Sequence, residues 1–422
     1  MPPSSPPTPP PRVLDVHAFG KRLAEARENA QLTQERVAEE LGLPRSAIAQ
    51  MEAGNRSVSS DELFRLAQLY GRPLMYFFEE SPSKKDEDPL VVLGRMAPEL
   101  EKDPETNRAI RRVVEICEKG MELERRLGKK PRTGPPAYTV AAPRNVGQAI
   151  EQGTRAADQE RQRLGLGDAP IADIHELIAT QGVWAASDHL PDDAISGLFI
   201  NHPSTAMVTL VNHKHHRCRQ RFSYAHEYAH ALFDRDLTVA LTSQGNAKDL
   251  SEYRANAFAA AFLMPKRGVE SALDSRDKGK PSKQLFETYD VAGDRGAETA
   301  EIRALPGSQR LTVKDVAQIA ILFDVSYPAA CYRLRNLGFV KAPELKELLE
   351  RDSSGTLFIR LATGHRDQAH EEKNSAQHIV SQVLPLVVEA HQRGEITRGR
   401  LLELSSLLSV SGPDVLEVAQ AQ

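Results

Sequence analysis

Apolar residues recur at helical spacing over most of the chain, which predicts a mainly α protein of the α+β type with a small β-sheet. In residues 16–29 the positions Phe19, Leu23 and Ala26 share one face. Thr33 stands where a helix over 34–41 needs a cap, Gly42 closes it, and short helices are expected at 45–53, 60–69 and 73–78. A longer helical stretch runs from Leu90 to Leu127, with Ile110, Val113, Val114, Cys117 and Met121 near one face and several arginines on another. That charge run reads as the solvated face of a linker helix. The pattern changes at Gly197–Ile200 and Ala206–Asn212, two apolar runs that predict a hairpin whose strand could form an edge for an extended peptide. Helical spacing returns around 222–233 and again over 251–264, where Pro265 ends it. Residues 268–308 are polar and poor in apolar positions, which predicts a loop. Leu311–Leu337 reads as a helical pair interrupted by Pro328, and leucine-rich helices continue from about 341.

The helix around 222–233 carries His226-Glu227-Tyr228-Ala229-His230. Residues four apart share a helical face, so the two imidazoles can each give a nitrogen to one tetrahedral Zn²⁺. Glu227 beside the first is placed to act as general base for a water at the metal. A third protein ligand is needed, with a fourth position left open. Glu252 opens the Ala-rich helix that follows, far enough along for the chain to turn back, and Asn256 lies four residues on, where it could hold a ligand in place. The ligand types favour Zn²⁺, with Mn²⁺ or another divalent ion as the alternative. His213, His215 and His216 lie among basic residues just before this helix and read as its solvated approach.

The strings R-x-R-F-S-x-A-H-E-x-x-H-A-L-F and E-x-x-A-N-x-F-A-A-x-F-L-M-P resemble the ImmA/IrrE metallopeptidases, with gluzincin-type coordination. That resemblance covers roughly residues 137 to 340. It implies His226, His230 and Glu252 as metal ligands, Glu227 as catalytic base, and a regulatory protease acting on a DNA-bound repressor. A second string, L-T-Q-E-R-V-A-E-E-L-G-L-P-R-S-A-I-A-Q-M-E-A-G-N-R, resembles the helix-turn-helix of the XRE/Cro repressors. It implies that Arg45, Ser46 and Gln50 face base edges, while Gln34, Asn55 and Arg56 sit near phosphates. Acidic residues at least match basic ones across 13–80, so non-specific phosphate attraction is weak and operator binding calls for a homodimer on two half-sites.

Composition narrows the class. The 422 residues carry a formal net charge of −4, with 27% charged, and no apolar run long enough to span a bilayer, so a cytoplasmic protein without a membrane partner is expected. The three cysteines, Cys117, Cys218 and Cys331, are too far apart for a C-x-x-C site. The expected organisation is a disordered Pro-rich tail (1–12), a five-helix helix-turn-helix domain (13–80), a linker with a long helix (81–136), a metallopeptidase domain (137–308) and a C-terminal helical region (309–422) with a helix-turn-helix-like pair at 311–337. Two functions compete: a DNA-binding zinc endopeptidase that cleaves a repressor, and a non-proteolytic regulator with a structural or sensory metal site.

Overall fold

The computed structural model describes residues 16–30, 32–70, 77, 89–96, 104–190, 195–243, 246–280, 283–288, 298–303, 307–364 and 377–421. The Pro-rich tail, the linker start at 81–88 and all of the helix expected at 73–78 except Phe77 lie outside these residues. The chain divides into two compact units, 1–84 and 85–422. Among the described residues no helix is long and apolar enough to cross a membrane.

In the first unit, α1 (Val16–Asn29), α2 (Gln34–Leu41), α3 (Arg45–Glu52) and α4 (Ser60–Tyr70) enclose a core of Phe19, Leu23, Val37, Ile48, Met51 and Leu66. The Thr33 hydroxyl accepts from the Arg36 N–H, and Gly42 ends α2 in the left-handed conformation.

The second unit is built on a four-stranded sheet of β1 (Val183–Asp188), β2 (Ile195–His202), β3 (Ala206–Asn212) and β4 (Val239–Ser243), in the order β1-β3-β2-β4. β1 runs parallel to β3, and the remaining pairs are antiparallel. The hairpin of β2 and β3 forms as expected, but both strands are inner ones; the sheet edges are β1 and β4. Each strand is apolar on both faces, so the sheet needs a helical layer on each side.

One layer uses α7 (Val146–Arg163), α8 (Ile174–Thr180), α9 (Arg217–Phe233), α10 (Leu250–Leu263) and α11 (Lys266–Asp274). With them come α12 (Val313–Phe323), α13 (Tyr327–Asn336), α14 (Ala342–Glu350) and α15 (Asp352–Thr363), packed around Val183, Ala185, Phe199 and Val211 of the sheet. The other layer uses α5 (Pro89–Met96), α6 (Pro104–Arg126), α16 (Gln377–Gln392), α17 (Arg398–Leu407) and α18 (Gly412–Gln420), against Trp184, Ala186, Leu198, Val208 and Leu210.

Four expectations change as a result. The helix read as a linker, α6, is a core element: Ile110, Val113, Cys117 and Leu123 are buried against the sheet, and only its polar side is solvated. The region from 309 onward is divided, with α12–α15 in one layer and α16–α18 in the other. Residues 268–308 contain the end of α11, with Val269, Ala272 and Leu273 buried at helical spacing, and an antiparallel hairpin of Lys283–Thr288 and Glu298–Arg303. Pro328 does not interrupt α13; it falls in the first turn, after the Ser326 cap, where its missing N–H costs nothing.

Among the described residues of the second unit the most extensive helix contact is α7 on α10. A Cβ at Gly153 would meet the Arg254 carbonyl oxygen at 2.2 Å, so only glycine permits this approach. Gly153→Ala is expected to destabilise the second unit by about 1–3 kcal/mol or more, whereas Gly147→Ala at the exposed start of the same helix should not. Thermal melts of the two variants followed by circular dichroism check this.

Candidate metal centre

α9 and α10 bring the three expected ligands together. His226 Nε2 lies 3.1 Å from Glu252 Oε2 and 3.2 Å from His230 Nε2, and His230 Nε2 lies 3.6 Å from Glu252 Oε1. Atoms about 2.0–2.1 Å from a common tetrahedral ion sit roughly 3.3 Å from one another, so this spacing suits a single cation. All three side chains are buried, and they are the one group of metal-ligating residues with this proximity among the described residues.

The far ring nitrogens are occupied. His226 Nδ1 donates to Asn256 Oδ1 at 3.1 Å. His230 Nδ1 donates to Asp234 Oδ2 at 2.8 Å, and Arg254 Nη2 donates to Asp234 Oδ1 at 2.7 Å. With Nδ1 protonated on each ring, both Nε2 lone pairs point to the shared space. Sequence reasoning missed Asp234 and Arg254, although an Asp four residues after His230 on one helix was a usable signal. Burial lowers the His230 pKa, but the Asp234 hydrogen bond and the carboxylates of Glu227, Asp234 and Glu252 outweigh it and leave it raised. Burial also works to raise the Asp234 pKa; His230 and Arg254 reverse this and hold it low.

Glu227 is fully buried, and neither carboxylate oxygen meets a donor by hydrogen-bond geometry. Burial raises its pKa, the two imidazoles and the Thr242 hydroxyl opposing that and Glu252 adding to it. A buried carboxylate without donors is costly unless a cation or a reacting group completes its surroundings, so the residues fit a metal held by His226, His230 and Glu252. β2 makes room for it: a Cβ at Gly197 would stand 2.8 Å from Glu227 Oε1. The histidines before α9 are at the other end of the helix. His216 caps α9 by accepting from the Cys218 N–H, about 15 Å along the axis from His226.

The helix-turn-helix residues divide. Arg45, Ser46 and Gln50 are exposed on α3 while Ile48 and Met51 are buried, and Asn55 is exposed after it. Arg45 pairs with Glu35 at 2.7 Å. Gln34 and Arg56 are already engaged within the unit: the Gln34 amide donates to Glu52, which also holds Arg27, and Arg56 pairs with Glu62.

Comparison with known proteins agrees with both halves. Residues 23–77 match the helix-turn-helix family model, and residues 180–291 match the M78 peptidase model, described as the IrrE N-terminal-like domain. The chain therefore carries a stretch similar to helix-turn-helix domains, followed by one similar to M78 peptidases of the IrrE N-terminal-like kind. Among curated proteins it is similar to the HTH-type transcriptional regulator PuuR of Escherichia coli (strain K12), 43% identical over 75 residues, which are 18% of this chain and 40% of PuuR. It is also similar to the HTH-type transcriptional regulator ImmR of Bacillus subtilis (strain 168), 35% identical over 75 residues, 18% of this chain and 59% of ImmR. An uncharacterised HTH-type regulator of Sinorhizobium medicae (strain WSM419) is 31% identical over 72 residues, 17% of this chain and 51% of its own length. The matched stretches thus span 40% to 59% of these relatives.

Replacing Asp234 with Asn should leave the fold intact and weaken Zn²⁺ binding about 10- to 100-fold, because an uncharged amide can accept from only one of His230 Nδ1 and Arg254 Nη2. Replacing His226 with Ala should remove binding altogether. Competition with a chromogenic chelator measures both.

Proposed function

We propose that this chain is a DNA-binding regulatory zinc endopeptidase that cleaves a transcriptional repressor or a related regulatory protein. The observation that carries the reading is the unpartnered carboxylate of Glu227 beside three clustered ligands, because a purely structural site has no use for a base. A Zn²⁺ bound there would supply a Lewis acid that polarises a peptide carbonyl and eases deprotonation of water. Glu227 takes the proton of the attacking water and passes it to the leaving amine; its raised pKa suits that exchange. Asn256 and Asp234 keep the two imidazoles aimed.

The substrate strand is assigned to β4. The strands β2 and β3 are paired on both sides, and at the β1 edge Gln382 Nε2 of α16 donates to the Ala185 carbonyl at 2.9 Å. β4 has a strand partner on one side only among the described residues, and Thr242 on it neighbours Glu227. An extended peptide adding to that edge would pass the catalytic carboxylate.

The helix-turn-helix unit would bring the peptidase to an operator as a homodimer, with Arg45, Ser46 and Gln50 toward the bases. Gln34 and Arg56 contribute to phosphates only if their internal partners release them. The competing reading, a regulator whose metal is structural or sensory, draws support from relatives that are named only as regulators.

Glu227→Gln separates the two. It should retain one Zn²⁺ per chain while cleavage of a candidate repressor, followed by mass mapping of fragments, falls by about 10²–10⁴-fold. Regulation in cells that persists unaltered in this variant favours the non-proteolytic reading. On the DNA side, Gln50→Ala should cost about 1–3 kcal/mol of discrimination at one base position of a selected operator, read by fluorescence anisotropy.

A further inference from the structure

A cleft of about 350 Å³ lies between residues 138–144, α7 and the end of α9. Its apolar lining includes Phe233 and Tyr138, whose rings are 6.0 Å apart and tilted by 51°, together with Val140 and Ala156. The walls are fixed. The Tyr138 N–H donates to the Leu232 carbonyl, Gln152 Nε2 to the Ala141 carbonyl, and the Arg144 N–H to Gln148 Oε1.

Two polar groups are left over. Gln152 Oε1 is buried without a donor. The Arg144 guanidinium lines the cleft, is exposed, and enters no ion pair among the described residues, whereas the neighbouring Arg155 is paired with Glu151. A flat apolar body on Phe233, a donor to Gln152 and an anionic group on Arg144 would satisfy all three features. The volume is that of a small-molecule site.

The floor of the cleft touches the supports of the ligands. The Arg254 guanidinium lies 4.4 Å from the centre of the Phe233 ring, and the same guanidinium holds Asp234, which holds His230. We propose that this cleft is an effector site for a small aromatic carboxylate bearing a hydrogen-bond donor, and that its occupancy is transmitted to the metal centre through Phe233, Arg254 and Asp234. The coupling rests on the metal reading above; the binding does not.

Indole-3-acetate carries the three groups, and calorimetric titration of the full chain tests the site. A Kd of about 1 mM or tighter is expected for a ligand of this size. Indole, which lacks the acid, and phenylacetate, which lacks the donor, should each bind at least about fivefold more weakly, as should Arg144→Glu and Gln152→Leu variants with unchanged thermal melts. No binding, or binding indifferent to both variants, overturns the site. Saturating indole-3-acetate should shift Zn²⁺ affinity by at least about threefold, and Zn²⁺ should shift indole-3-acetate affinity by the same factor. A Zn²⁺ affinity that stays constant while the probe binds overturns the transmission. A chain that binds the probe and no Zn²⁺ removes the metal reading and the transmission, and leaves the cleft as a binding site.

Discussion

Two imidazoles and two carboxylates, those of His226, His230, Glu227 and Glu252, are held together out of water, and that shared desolvation is the constraint the second unit is organised around. Taking even one ionised carboxylate from water into a protein interior is expensive. The cost is tolerable here because each group has compensation arranged around it. Asn256 and the Asp234–Arg254 pair satisfy the far nitrogens of the rings, and the ligand atoms are spaced to share one positive ion. Glu227 meets no donor by hydrogen-bond geometry, and the two imidazoles and the Thr242 hydroxyl offset its burial only in part, which is why its pKa rises.

The scaffold serves that arrangement through close backbone approach. Gly197 on β2 leaves room for the Glu227 carboxylate, and Gly153 on α7 lets that helix press against the backbone of α10 at Arg254. Arg254 is then fixed from several directions, with Phe233 under its guanidinium and Asp234 at its tip. Glu252, the expected third ligand, is two residues from this anchor on the same helix. Its placement is thus a matter of helix packing and not of loop conformation.

What could be read from the chain alone was whatever is local. The i, i+4 spacing of His226 and His230, the alternation between Ile48 or Met51 and their exposed neighbours, and the Thr33 and Gly42 boundaries are all set within one helix or its caps. What could not be read depends on partners distant in sequence. The apolar face of α6 is equally compatible with a linker helix, and only the second apolar face of the sheet decides that it is buried. The edge of the sheet could not be placed either, because strand order follows from β4 pairing with β2 across the whole of α9. Gln34 and Arg56 looked free for phosphate because Glu52 and Glu62, their partners, lie 18 and 6 residues away.

The layer formed by α5, α6 and α16–α18 joins segments separated by most of the second unit, so it is completed late in synthesis. A ribosome releases the strands and the paired imidazoles long before residues 377–421 emerge. Until then α5 and α6 alone cover the face of Trp184, Leu198, Val208 and Leu210, the part that α16–α18 close stays open, and closing it carries the slow kinetics of high contact order. Such a molecule covers both faces of its sheet only after residues 377–421 have been made, so that the order of synthesis, and not any partner, times the completion of the second unit.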